Sequence, residues 1–255
     1  MNYRAVFQAY FVSDIHLKGP EDRKFQVLLN FLKALPSDAT HLFFMGDIFD
    51  LWVGEHQYFI QVYDPILTEV QKLQKQGVEI HYFEGNHDFH LRTYWQEELK
   101  VHVHEGVHHI QLGNCILRLE HGDLTNPDDL NYLRLRKFLR SKPMEWIIKN
   151  APEKLVTFVG ENWSQRSRKA RPYVNEKVKL RARQYAIEAA SQTPFDLMVC
   201  GHTHMQDEFR FEFNGRQHLY INLGTWLATP HCLAIKSLVS QAGSLSDLQI
   251  EFKNI

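Results

Sequence analysis

Ala5-Val6-Phe7-Gln8-Ala9-Tyr10-Phe11-Val12-Ser13 is a short apolar run that stops at Asp14-Ile15-His16, and its reading decides the fold. A run of this length with aromatic and β-branched residues predicts a buried strand. Glu21 to Leu35 follows with apolar residues at Phe25, Leu28, Leu29 and Leu32, the spacing of an amphipathic helix. His41 to Met45 is a second apolar run and ends at Gly46-Asp47. Tyr58 to Gln76 reads as a second amphipathic helix closed by Gly77, and Glu79 to Phe83 as a third strand ending at Gly85-Asn86-His87-Asp88. The order β-α-β-α-β predicts a sheet that begins parallel, because parallel neighbours need a helical crossover.

The rhythm changes after His109. Ile110 to Leu112 and Cys115 to Leu119 flank Gly113-Asn114, and Phe209 to Phe213 and His218 to Ile221 flank Asn214-Gly215, two hairpin signals. The second arm of the first hairpin ends at His121, and a further strand, Phe195 to Cys200, ends at Gly201-His202-Thr203-His204. Leu233 to Ile235 and Leu248 to Phe252 are expected to finish a second sheet. Helical signals dominate from Pro127 to Gln192, a stretch read as an insertion within one domain spanning 1–255. Each polar cluster sits where an apolar strand stops, the side of an open α/β sheet on which ligands bind.

The chain has 255 residues, 44% apolar and 23% charged, enough to bury a full core. Its formal net charge of −1 offers no global field for a polyanion, so anion recognition must be local and nucleic acid is not an expected partner. Cys115, Cys200 and Cys232 are too far apart for a C-x-x-C metal or redox pair and suggest a reducing compartment. Residues 1–13 lack the features of a secretory signal, and no apolar run is long enough to span a bilayer. A cytoplasmic protein is expected.

Carboxylate, imidazole and carboxamide groups suit hard and borderline divalent ions. Asp14 and His16 alternate by two, as do His202 and His204, so each pair points one way at a strand end. Asp47 has two oxygens and could bridge two ions. Any one of these motifs could be an ordinary turn or a structural histidine. Together, Asp14-x-His16, Gly46-Asp47-x-x-Asp50, Gly85-Asn86-His87-Asp88, His121-Gly122-Asp123 and Gly201-His202-x-His204 resemble the signature of the calcineurin-like metallophosphoesterases.

That resemblance implies an α/β sandwich of two mixed sheets flanked by helices, with metals at the strand ends. It implies that Asp14, His16 and His204 hold one ion, Asn86, His121 and His202 the other, and that Asp47 bridges them. Manganese is the ion it suggests, although the donor set also accepts iron or zinc. Two such ions lower the pKa of a shared water and stabilise charge developing at phosphorus. His87 would then donate to a phosphate oxygen or protonate the leaving group, with Asp50 orienting its ring. A purely supporting role for both is the plainer alternative.

The segments Gly46 to Gly54 and His121 to Tyr132 resemble the UDP-2,3-diacylglucosamine diphosphatases of lipid A synthesis. This implies a lipid-nucleotide substrate cleaved to UMP and 2,3-diacylglucosamine 1-phosphate, with Asp129 and Tyr132 in the substrate pocket and the insertion as a lid over the acyl chains. Met144, Trp146, Ile147, Ile148, Leu155 and Val156 are among the apolar residues that suit such a lid, or that simply pack it. Ser167, Arg168, Lys169 and Arg171 are candidates for phosphate or uridine contacts. They open a basic run to Arg183 that could equally be a solvated helix face, or could rest on the cytoplasmic face of the inner membrane. Many enzymes of that family carry Gly-Asn-Arg-Asp and a Glu where this chain has His87 and Asp50, which leaves the substrate open. Another phosphodiesterase, a nuclease, or a scaffold that has lost catalysis are the competing readings; a scaffold should have lost ligands, and all seven are here. No obligate protein partner is expected.

Overall fold

The computed structural model describes residues 7–152, 155–156, 176–237, 239 and 244–255. Its elements in chain order are β1 (Gln8–Val12), α1 (Arg23–Lys33), β2 (His41–Phe44), β3 (Trp52–Val53), α2 (Gln57–Lys75), β4 (Glu79–Phe83) and β5 (Asp88–Phe89). A π-helical turn (Arg92–Glu98) leads to β6 (His102–His104), β7 (His108–Leu112), β8 (Cys115–Leu119), α3 (Leu130–Leu139) and α4 (Lys142–Asn150). After these come α5 (Glu176–Gln192), β9 (Leu197–Cys200), β10 (Asp207–Phe213), β11 (Arg216–Asn222), β12 (His231–Ser237) and β13 (Leu248–Asn254).

All five residues of β1 are buried because the strand is paired on both sides and covered on both faces. Tyr10 and Val12 face the helix layer of α1 and α2, which packs Phe25, Leu28, Ile66 and Val70 onto the sheet. Ala9 and Phe11 face the other way, into a layer shared with Leu117, Leu119, Leu197, Val199 and Ile221 of the second sheet. Each large apolar side chain buried in these layers contributes about 1.5–3 kcal/mol. α1 begins where Asp22 accepts from the Lys24 amide, the capping interaction its position invites.

β1, β2, β4 and β6 run parallel, as the β-α-β-α-β reading requires. The second sheet has the order β10-β11-β9-β8-β7 and contains both expected hairpins. Asn214 and Gly215 both have positive φ (51° and 74°), the backbone that a two-residue hairpin turn needs.

One expectation fails. β12 and β13 do not finish the second sheet: β12 pairs antiparallel with β1, and the first sheet reads β13-β12-β1-β2-β4-β6. Joining β1 covers its open side with a strand whose residues Leu233 and Ile235 complete the layer between the sheets. The stretch read as an insertion has two kinds of helix. α5 lays Ala182, Ala186, Ala189 and Ala190 on the outer face of the second sheet against Phe195, Met198 and Tyr220. α3 and α4 lie instead over the loops at the strand ends.

Candidate metal centre

The turns after β1, β2 and β9 are held in an unusual backbone conformation. Asp14, His16, Asp47, His202 and His204 all have φ between 51° and 68°, a left-handed region that costs a residue with a β-carbon about 1–3 kcal/mol. Neighbouring loops pin that strain in place. The His16 amide donates to Asp47 O (3.0 Å), the His202 amide to Asp14 Oδ2 (2.8 Å), and the Thr225 hydroxyl to Asp14 O (2.9 Å). Lys24 donates from Nζ to the carbonyls of Ile15 and His16. A β-carbon on Gly85 would collide with the Asp47 carboxylate, and one on Gly201 with that of Asp14. These two positions therefore admit only glycine.

The result is a convergence of donor atoms. Asp14, His16 and His204 form one group with ligand atoms within 4.8 Å of one another, Asp47, His121 and His202 a second, and His16, Asp47 and His87 a third that joins them. His16 Nε2 lies 3.2 Å from His204 Nε2, and His202 Nδ1 3.2 Å from His121 Nε2. Asp47 Oδ2 is 3.5 Å from His121 Nε2 and 3.9 Å from His16 Nε2. Asn86 Oδ1 and His16 Nδ1 are buried without hydrogen-bond partners, and Asp14 Oδ1 faces His204 Nε2 at 3.2 Å. Unpartnered buried atoms among converging imidazole nitrogens are what a divalent cation would satisfy. The donor set fits two ions.

Charge reinforces the geometry. Burial alone would raise the Asp47 carboxyl, but the imidazoles of His121 and His87 hold it well below the usual carboxylate range. Burial opposes a proton on His121, yet Asp47, Asp14 and Asp123 together push its pKa up to about 10. The surrounding carboxylates thus favour a proton on this imidazole, and a bound metal would take the place of that proton. His121 Nδ1 bonds Met45 O at 2.8 Å, which turns Nε2 toward the site.

His87 is buried beside the centre, its ring 4.9 Å from that of His16. Its Nδ1 bonds the backbone carbonyl of Asp50 (3.0 Å), leaving Nε2 for the site. The Asp50 carboxylate instead faces His16 Nδ1 at 4.0 Å. The ring of His87 is therefore oriented by the main chain of Asp50, with the carboxylate turned elsewhere. Asp129 caps α3 by accepting from the Tyr132 amide, and is exposed. The Tyr132 hydroxyl donates to Asp123 (2.6 Å), and its ring stands 6.1 Å from that of His202. Ser167, Arg168, Lys169 and Arg171 lie outside the described residues.

Three buried carboxylates escaped the sequence reading. Asp88 accepts from the amides of Asp47 (2.9 Å), Ile48 (2.7 Å) and Gly85 (2.8 Å) and from the Tyr82 hydroxyl (2.6 Å), and so fastens the Asp47 loop to the Asn86 loop. Asp123 receives Tyr132 and Arg136, and Glu84 receives Arg140 and the Leu91 amide. Asp88 and Asp123 close two of the recognised motifs, and that placement was the only signal for them.

A cavity of about 230 Å³ opens beside Asn86 and His87. Leu51, Val53 and Phe89 form its floor, and Leu139, Met144, Ile147, Ile148, Leu155 and Val156 its roof. Trp146 is not among the lining residues and is 67% exposed.

The UDP-2,3-diacylglucosamine hydrolase of Vibrio parahaemolyticus serotype O3:K6 (strain RIMD 2210633) is 28% identical over 89% of this chain and 93% of its own length. Those of Histophilus somni (strain 129Pt) and Vibrio vulnificus (strain CMCP6) are 22% and 25% identical, over 90% and 88% of this chain and 97% and 92% of theirs. The family model for the calcineurin-like phosphoesterases matches residues 7–206, which include every donor named above. By that match the chain belongs to the calcineurin-like phosphoesterase family.

Proposed function

We propose that this protein hydrolyses the diphosphate of UDP-2,3-diacylglucosamine to UMP and 2,3-diacylglucosamine 1-phosphate, using two divalent ions. The observation that carries the reading is the apolar cavity, whose only polar walls among the described residues are those of Asn86 and His87. A phosphate that carries an acylated sugar needs such a neighbour, and a nucleic acid does not. The relatives that bear this activity in their names support the same substrate.

Asp14, His16 and His204 would hold one ion, Asn86, His121 and His202 the other, with Asp47 between them; the ions are manganese in this reading. When bound they supply Lewis acidity at phosphorus and make water acidic enough to attack near neutral pH. His87 presents Nε2 to the phosphate, where it donates to an oxygen or to the leaving group. Water attacks the uridine-side phosphorus, and the bridging oxygen departs with the lipid-bearing phosphate. The roof residues hold the acyl chains and keep bulk water away. Asp129, Tyr132, Ser167, Arg168, Lys169 and Arg171 would serve the sugar, uridine and phosphates of the substrate. Among the described residues no helix is long and apolar enough to cross a membrane. In this reading the enzyme meets its lipid peripherally, at the inner face of the inner membrane, where the basic run from Arg166 to Arg183 suits anionic headgroups.

The test compares UDP-2,3-diacylglucosamine, deacylated UDP-glucosamine and single-stranded DNA, with manganese. Burying a methylene is worth roughly 0.8 kcal/mol, so several enclosed carbons should favour the acylated substrate by several powers of ten. Ile147→Ser with Ile148→Ser should erase that preference and keep the metals, while Trp146→Ser should leave it. Equal rates with and without acyl chains, or faster cleavage of DNA, would overturn the substrate and spare the family.

A further inference from the structure

We propose that Arg140 is a positioning residue for Asn86: it fixes the peptide that aims the Asn86 carboxamide into the metal centre, and so ties that donor to the roof of the cavity. Arg140 follows the last residue of α3, and its guanidinium is almost wholly buried. Nη1 donates to the Glu84 carboxylate and Nη2 to Gly85 O at 2.8 Å, and the group lies 5.4 Å over the Phe89 ring. The Gly85 amide meanwhile donates to Asp88 (2.8 Å). The residue immediately before Asn86 is thus clamped at its N–H by the core and at its C=O by α3.

Asn86 Oδ1 is buried without a hydrogen-bond partner, so no hydrogen bond to that oxygen sets its direction. The clamp does. His90 Nε2 bonds Leu139 O at 2.9 Å and seats the end of α3 on the same loop. Asp123, two residues after His121, holds the first turn of α3 through Tyr132 and its last turn through Arg136. One helix therefore spans the two loops that carry Asn86 and His121, donors assigned to the same ion. A lysine cannot replace the fork, since one ammonium cannot serve a carboxylate and a carbonyl in fixed, coplanar directions.

The inference rests on the two-ion reading of the site and not on the identity of the substrate. The experiment is manganese titration of the substrate-free chain by calorimetry, with thermal melts alongside, for the unaltered protein, Arg140→Lys, and Glu84→Gln combined with Arg140→Gln. The double variant removes both members of the buried ion pair and so avoids stranding a charge. Disturbing a group that orients a ligand typically weakens metal binding about 10–100-fold. One of two ions should therefore bind 10–100-fold more weakly in both variants, and the other within about twofold of its original affinity. Leu73→Ala, a core truncation at the end of α2, should lower the melting temperature and leave both affinities alone. If the Arg140 variants melt early but bind both ions unchanged, Arg140 is only a brace and the proposal fails. If the unaltered chain binds fewer than two ions, the two-ion reading fails first and takes the proposal with it.

Discussion

Histidines gather in two places in this molecule. At the strand ends, His16 meets His204 and His87 edge to face, with interplanar angles of 69° and 83°, and His121 meets His202 at 78°. Along the edge of the first sheet the rings lie flat instead: His81 stacks on Phe43 (14°), His102 (26°) and His104 (13°). Strand register causes this, since Phe43, His81 and His102 are direct partners on β2, β4 and β6. In this stack His81 Nδ1 and His104 Nε2 face each other at 3.0 Å, and among the described residues no third ligand atom closes on the pair. Glu79 is close to His81 and His102, and its side chain is 50% exposed. Among the described residues, the groups whose ligand atoms converge within 4.8 Å all lie at the strand ends. Imidazole density does not make a metal centre. Convergence does, and here it is imposed by left-handed backbone and buried acids.

The sharpest way to break this contrast is to remove the acid shared by two of the converging groups. Asp47→Ala should abolish measurable turnover and cut the metal content together, because it leaves His121 and His16 without the charge that gathers cations around them. Two tightly held ions in this variant would show that the histidines suffice. The next test separates His87 from its neighbours. His87→Ala should slow hydrolysis about 10²–10⁴-fold, the range for a positioned acid or base, with both ions retained. Loss of an ion by elemental analysis would move His87 among the metal donors.

The smallest effect belongs to the edge. Burial first, then the imidazoles of His104, His102, His41 and His108, hold His81 down to about 3; burial with His108 and His102 holds His104 down to about 4. Unfolding frees both to bind protons near the ordinary histidine value of about 6.5. The unfolded chain then carries the extra protons, so the stabilising contribution is full above pH 6.5 and is lost as pH falls from there toward 3–4. The slope cannot exceed about 1.4 kcal/mol per pH unit for each histidine. His81→Phe, which preserves the stack, should flatten the acid side of a plot of unfolding free energy against pH and leave metal content at neutral pH unchanged. An unaltered acid limb would mean that the edge histidines are already protonated in the folded protein.

The two regions were unequally legible. Asp14-x-His16 and His202-x-His204 announce themselves because strand alternation is written directly in sequence. Nothing in the sequence shows that these residues adopt positive φ, which depends on contacts such as that between His202 and Asp14, 188 positions apart. Hairpin signals located β10 and β11 but could not say which sheet would take β12 and β13, because a turn specifies the partner strand and not the layer. Asp50 was read by its carboxylate, whereas its carbonyl makes the bond to His87, a choice no side-chain motif encodes. Arg140 reads as one more solvated helical arginine until the fold brings it to Gly85, 55 residues away.

That separation along the chain governs when the protein can acquire its ions. Donors of the group Asp14, His16 and His204 come from both ends of the domain, and the loops that orient them belong to both sheets. Contacts so distant in sequence form late, after the entropy of closing the intervening loops has been overcome. Ions held by this group would find it complete only once these loops have met, and preferential binding to the native state would draw the folding equilibrium toward it. Metal supply during synthesis should consequently set how much of this protein survives to work, before it sets how fast the protein works.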